Sequence, residues 1–228
     1  MGTPGIVGVL GGMGPAATVD FMRKVLAATP AVRDQDHVPM VVSCIPQVPD
    51  RTAAFRGDGE SPLPAMLGSG HRLAAAGAGL VVMPCNTAHL WYDELQAELG
   101  LPMIHLVDAA LAEAAAHGGR IGLLATDATL ASGLYVNRAG GAVQWLWPTA
   151  VEMLEWVMPG IEDVKAGRLD AARTKLRCAG HALARRGAAA LVLGCTEIPI
   201  VLDDATAGLP VVDATAALAR RAVAWATA

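Results

Sequence analysis

The chain has 228 residues, a formal net charge of −4 at pH 7 and an apolar share of 54%, with aromatics at only 4%. The length allows one large domain or two of about 100 residues each, and the apolar residues are mostly Ala, Val and Leu, with Gly also abundant, which favours a tightly packed α/β protein over a β-sandwich. No basic block points to nucleic acid or an anionic membrane surface, no run approaches the roughly 18 apolar residues of a spanning helix, and no basic stretch precedes the first apolar run as in a signal peptide, so a cytoplasmic protein without nucleic-acid or membrane partners is expected.

The first apolar run, Ile6–Leu10, reads as a buried strand. It leads into Gly11-Gly12-Met13-Gly14-Pro15 and a helix over Ala16–Ala28. Gly12, Gly14 and Ala17 fit a G-x-G-x-x-A dinucleotide spacing, but that fingerprint also needs an acid ending the second strand. The second strand, Val38–Cys44, ends Val42-Ser43-Cys44, and Asp34 and Asp36 precede it. What survives is the loop's physics: glycine N–H groups at a helix start can approach an anion, a carboxylate as well as a phosphate. Pro46–Pro64, rich in Pro, Gly and charge, reads as a long loop carrying Arg51 and Arg56. Beyond it come a helix over Leu63–Ala76, a strand at Leu80–Met83, a helix over Leu90–Leu99, a strand at Met103–His105 and a helix over Ala109–His117. Strands are then expected at Arg120–Ala125, Ala142–Trp145, Ala189–Leu193 and Pro210–Val212, with helices over Ala150–Lys165, Leu169–Arg185 and Ala214–Ala226. Short apolar strands alternating with helices predict parallel sheets covered on both faces.

The pattern repeats itself. Gly8-Val9-Leu10-Gly11 and Gly122-Leu123-Leu124-Ala125 both open toward a loop ending in Thr, Cys85-Asn86-Thr87 recurs as Cys195-Thr196, and Gly100-Leu101-Pro102 recurs as Gly208-Leu209-Pro210. Landmarks recurring in the same order at so long a period predict duplicated domains, not a solenoid. The expected division is residues 1–108 and 109–212, and the terminal stretch 213–228 either completes the second domain or crosses back to the first.

Four cysteines, none in a CxxC pair, are too few for a disulfide framework in a chain of this size. Cys44 and Cys178 read as structural. Cys85 and Cys195 each end an apolar strand and precede short polar residues and a helix-like segment, where partial positive charge would favour thiolate. His89 and Glu197 lie close by in sequence and could imitate a zinc site, but the usual ligand spacing is absent and no metal is expected; orienting or polarising a thiol competes with plain capping for both. Lysine occurs only at 24, 165 and 175, none in a phosphate-cradling context, so no pyridoxal or other cofactor is expected.

The phrases GGMGPAAT at Gly11–Thr18, PDRT at Pro49–Thr52, PCNTAH at Pro84–His89, LLATDATLASGLY at Leu123–Tyr135 and LGCTEIP at Leu193–Pro199 together resemble the aspartate/glutamate racemase superfamily, most closely its aspartate racemase branch. Glu197 stands where the glutamate racemase branch typically has His. The resemblance implies two flavodoxin-like α/β domains, doubly wound around mainly parallel sheets, related by a pseudo-twofold with the active site in the interdomain cleft. It implies a cofactor-independent racemase, commonly a homodimer, acting on a small amino acid, most simply aspartate. Residue by residue, it implies Cys85 and Cys195 as opposed acid and base. Met13, Asn86, Thr87, Thr126 and Thr196 match positions that hold the α-carboxylate and amine, and Arg51 and Lys165 match basic positions linked to the side-chain carboxylate. Glutamate or broad-specificity racemisation, and hydantoin racemase or maleate isomerase chemistry, are the alternatives on the same fold.

Overall fold

The computed structural model describes residues 5–228. In the first half these fold as β1 (Val7–Gly11), α1 (Pro15–Ala28), β2 (Met40–Cys44), α2 (Arg51–Arg56), α3 (Leu63–Ala75), β3 (Leu80–Val82), α4 (Tyr92–Leu99), β4 (Met103–Ile104) and α5 (Leu106–Ala114). The second half continues with β5 (Arg120–Ala125), α6 (Asp127–Ala131), α7 (Leu134–Ala139), β6 (Gln144–Leu146), α8 (Ala150–Glu152), α9 (Met158–Lys165), α10 (Leu169–Arg185), β7 (Ala188–Gly194), α11 (Asp204–Ala207), β8 (Val211–Asp213) and α12 (Ala214–Ala226).

The strands form two four-stranded sheets, ordered β2-β1-β3-β4 and β6-β5-β7-β8. Every pairing is parallel, from Val7 beside Met40 and Leu80 to Leu193 beside Asp213. The apolar strands can be buried on both faces because parallel crossovers place helices there. The chain divides into two compact units: one takes the chain up to Ala109 together with Thr215–Ala228, and the other is Ala110–Ala214. In the first unit the Gly5 N–H donates to the Ala226 carbonyl at 2.9 Å, and the Trp225 ring lies against Gly5 and Gly79.

Leu10, Met66, Leu73, Val81 and Leu95 form the core of the first unit, and Leu124, Ile161, Leu176, Leu183 and Leu193 that of the second. Each such side chain stabilises the fold by about 1.5–3 kcal/mol relative to exposure. The repeated glycines Gly8 and Gly122 lie under packed helices: a Cβ at Gly8 would lie 3.2 Å from Leu73 of α3, besides 2.8 Å from the Ala78 methyl, and one at Gly122 would lie 3.0 Å from Leu183 of α10 and 2.6 Å from Leu191 of β7.

Two expectations need correction. The stretch Pro46–Pro64 is not all loop: Asp50 accepts the Ala53 N–H at 2.8 Å to start α2, and Gly57, at φ 81°, ends it in the left-handed region. The expected helix over Ala150–Lys165 is interrupted by a π-helical turn at Met153–Val157, and α9 restarts with Pro159 in its first turn, where a missing N–H is tolerated.

Candidate active site

In each unit the chain runs from the first strand out to an edge strand, then returns to pair a third strand on the other side of the first. The winding direction reverses between β1 and β3, and again between β5 and β7. In open parallel sheets the crevice at the carboxyl ends of such strands is where ligands bind. Cys85 follows β3 and Cys195 follows β7, so both thiols occupy the same topological position. Met13 follows β1, and Thr126 follows β5.

In the first unit Cys85, Asn86, Thr87 and His89 are all buried. The segment after Cys85 is a 3-10 turn over Thr87–Trp91, with α4 starting only at Tyr92. The Leu106 N–H donates to His89 Nε2 at 3.1 Å, so Nδ1 carries the proton and donates to the Cys85 carbonyl at 2.7 Å. Both ring nitrogens are committed to backbone, and His89 ties the cysteine loop to the start of α5. Buried Met13 sits in the β1–α1 loop. There Gly12, at φ 93°, approaches Ile45 so closely that a Cβ would sit 2.5 Å from its backbone. The Gly12 N–H donates to Thr18 Oγ1 at 2.8 Å, and that hydroxyl donates to the Gly14 carbonyl at 3.0 Å. Part of the expected anion nest is therefore filled by the protein itself.

Arg51 opens α2, which packs on the Thr87–Trp91 turn. Its Nη1 donates to the Val48 and Pro49 carbonyls at 3.1 and 3.0 Å. Its Nε is buried without a protein acceptor, and among the described residues it has no carboxylate partner. A guanidinium pinned at one nitrogen, with another donor desolvated and open, is prepared for an anion. Ser43, near the end of β2, likewise buries a hydroxyl without a partner among the described residues; nothing in the sequence had marked it.

In the second unit Cys195, Thr196 and Glu197 are buried, and a 3-10 turn follows at Ile198–Ile200. The Cys195 thiol donates to Glu197 Oε2 at 3.1 Å, and the Thr196 hydroxyl reaches the same oxygen at 3.4 Å. Burial pushes the Cys195 thiol well above its ordinary pKa, and the Glu197 carboxylate adds to this; the Glu197 N–H and the charge of Lys165 act the other way without reversing it. The helix-start lowering expected at Cys195 is therefore outweighed, first by burial of the thiol and then by the Glu197 carboxylate on the sulfur. Lys165 lies exposed at the end of α9. Thr126 caps α6, accepting the Thr129 N–H at 3.2 Å and donating to the Thr129 hydroxyl at 3.0 Å. Tyr135 is fully buried, and burial, then the neighbouring Cys195 and Asp213, push its ionisation far up. Its place at the end of the LLATDATLASGLY phrase was the available signal for it. Among the described residues no group of three or more His, Cys, Asp or Glu side chains could hold a metal ion, and no helix is long and apolar enough to cross a membrane.

Chemically, each unit offers a buried thiol among short hydroxyl and amide side chains, suited to moving a proton beside a bound carboxylate. The family model for Asp/Glu/Hydantoin racemase matches residues 10–222. The chain belongs to the Asp/Glu/Hydantoin racemase family. As a member of that family it is a racemase, an isomerase. The solved structure of the Picrophilus torridus aspartate racemase superposes on this racemase with a TM-score of 0.89 at 32% identity, covering 98% of this chain and 94% of that one. The broad-specificity amino-acid racemase RacX of Bacillus subtilis is 27% identical over 96% of each chain. A glutamate racemase of Deinococcus radiodurans is 37% identical over 65% of this chain and 53% of its own length.

Proposed function

We propose that this racemase inverts aspartate without a cofactor, with Cys85 and Cys195 as the two bases on opposite faces of Cα. The observation that carries the proposal is the placement of one buried thiol after the equivalent central strand of each repeat. Racemisation removes the Cα proton from one face and returns a proton to the other, so one base must start deprotonated and the other protonated. The Cα proton is only weakly acidic, and charge developing on the substrate carboxylate needs fixed donors. Asn86, Thr87, Thr126 and Thr196, with the Met13 loop, are the groups proposed to supply them. Exclusion of water around the substrate would strengthen those bonds. Homodimerisation belongs to the same proposal and rests on the family resemblance alone.

The choice of aspartate rests on Arg51, a guanidinium without a carboxylate partner among the described residues, supported by the likeness to an aspartate racemase along nearly the whole chain. Lys165 is proposed as a second cation toward the same carboxylate. The full-length likeness to RacX favours a second reading, in which several amino acids are accepted. A panel of L- and D-amino acids with purified enzyme separates the two. Aspartate is expected to lead, and Arg51→Ala to lower kcat/KM for aspartate by about 10- to 100-fold, the worth of a charge-assisted hydrogen bond, while alanine changes much less. Equal losses on both substrates would remove Arg51 from side-chain recognition, and equal rates across the panel would establish the broad reading.

A further inference from the structure

The two cysteines share a position but are followed by different side chains. Cys195 and Glu197 form a buried hydrogen-bonded pair, Sγ to Oε2 at 3.1 Å, with the Thr196 hydroxyl on the same oxygen. In the first unit the residue two places after the cysteine is Thr87, and His89 spends both ring nitrogens on backbone. A carboxylate oxygen that accepts from a thiol can hold that thiol in its protonated form.

We propose that Glu197 is a positioning residue that keeps the proton of this pair on the Cys195 sulfur, so that the free enzyme rests with Cys195 as the acid. The inference rests on the two-thiol reading above. When Cys195 acts as acid, the Cys85 thiolate takes the Cα proton from one face, the Cys195 S–H bond breaks and its proton passes to Cα from the other, leaving Cys85 as thiol and Cys195 as thiolate. The next proton it acquires from solvent or substrate is again held on sulfur by the adjacent carboxylate. Lys165 at the end of α9 also acts on this sulfur and favours thiolate; Tyr135 on α7 neighbours it, its own ionisation pushed up by burial, then by Cys195 and by Asp213 of β8. Lys165 is exposed and Tyr135 is neutral, whereas Glu197 is buried and in hydrogen-bond contact with the sulfur.

The sign of the consequence is fixed. The active free enzyme carries one proton between its two thiols, and activity ends at high pH when that last proton is lost. Removing the carboxylate charge makes the Cys195 proton easier to lose, so the alkaline limb of kcat/KM must move to lower pH. Because the equilibrium constant of racemisation is unity, both hands of the substrate must show the same move.

The test is Glu197→Gln, which keeps shape and an acceptor oxygen but not the charge. Its kcat/KM profile is compared with wild type, together with thiolate absorbance titrations of both, each corrected with its Cys195→Ser counterpart. The expected result is a shift of the alkaline limb and of the Cys195 thiolate midpoint to lower pH by about one to two units, with Glu197→Asp recovering part of it. A profile lowered in height but unmoved in pH, with an unmoved thiolate midpoint, would make Glu197 a packing residue and overturn the proposal. A shifted midpoint combined with undiminished racemisation in Cys195→Ala would instead overturn the two-thiol reading and leave the pair's proton chemistry standing.

Discussion

The loop after β3 and the loop after β7 begin alike, with a buried cysteine leaving the third-formed strand of a 2-1-3-4 sheet, and then diverge within two residues. After β3 the chain satisfies backbone: the His89 ring joins the Cys85 carbonyl to the Leu106 N–H. After β7 it turns a carboxylate onto the sulfur itself. Strand order places a thiol at the switch point in both units, whereas the side chains that follow differ, and at Cys195 one of them is a carboxylate on the sulfur. The two units offer equivalent positions, and the proposed reaction uses them unequally, one as resting acid and one as resting base.

The sharpest way to break this comparison is to remove one thiol at a time. Cys85→Ala and Cys195→Ala are each expected to lower racemisation by about 100- to 10,000-fold, the range for a positioned acid or base, read by chiral separation of the products. A loss in one variant only would mean that the two positions are not functionally paired. A smaller effect concerns the backbone role of His89. His89→Leu keeps bulk but strands a buried carbonyl and a buried N–H, and should destabilise the protein by about 2–4 kcal/mol, measured by urea unfolding. An unchanged midpoint would show that the His89 bridge contributes nothing net.

The smallest effect lies in the second unit. Asp163 is buried on α9, accepting from Lys175 and from Arg168 Nε at 2.7 Å. The bond from Lys175, then that from Arg168, holds its carboxyl below the ordinary range. A depressed carboxylate contributes its stability fully above the unfolded pKa of about 3.9 and loses it as pH falls through the folded value. Asp163→Asn should therefore be less stable than wild type at neutral pH, with the gap closing below about pH 4. A gap independent of pH in urea titrations would contradict this.

Much of the architecture was legible because the strands are short apolar runs punctuated by Gly and Pro, as at Leu80–Val82 and Ala188–Gly194. Buried parallel strands write that pattern plainly. Helix α2 was hidden because its six residues are too few to show a period, although Asp50 and Gly57 are an ordinary cap pair. The site residues could be named from motifs, but their state could not. Whether a thiol beside a helix-like segment is lowered or raised depends on its burial and on which side chain the turn folds back, and the sequence left Glu197 open between polarising a thiol and plain solvation or capping. Lys165, named from spacing alone, lies exposed on α9, and its part in the site stays a proposal.

The most direct test of the central claim follows L-aspartate in D2O by proton NMR and chiral separation, with wild type and both single-thiol variants. The account predicts that wild type yields D-aspartate carrying solvent deuterium at Cα. Each variant should fail to racemise, and each should still exchange the α-hydrogen of one hand only, with opposite hands in the two variants. Undiminished racemisation in either variant, or exchange of the same hand by both, would contradict one thiol for each face of the substrate carbon.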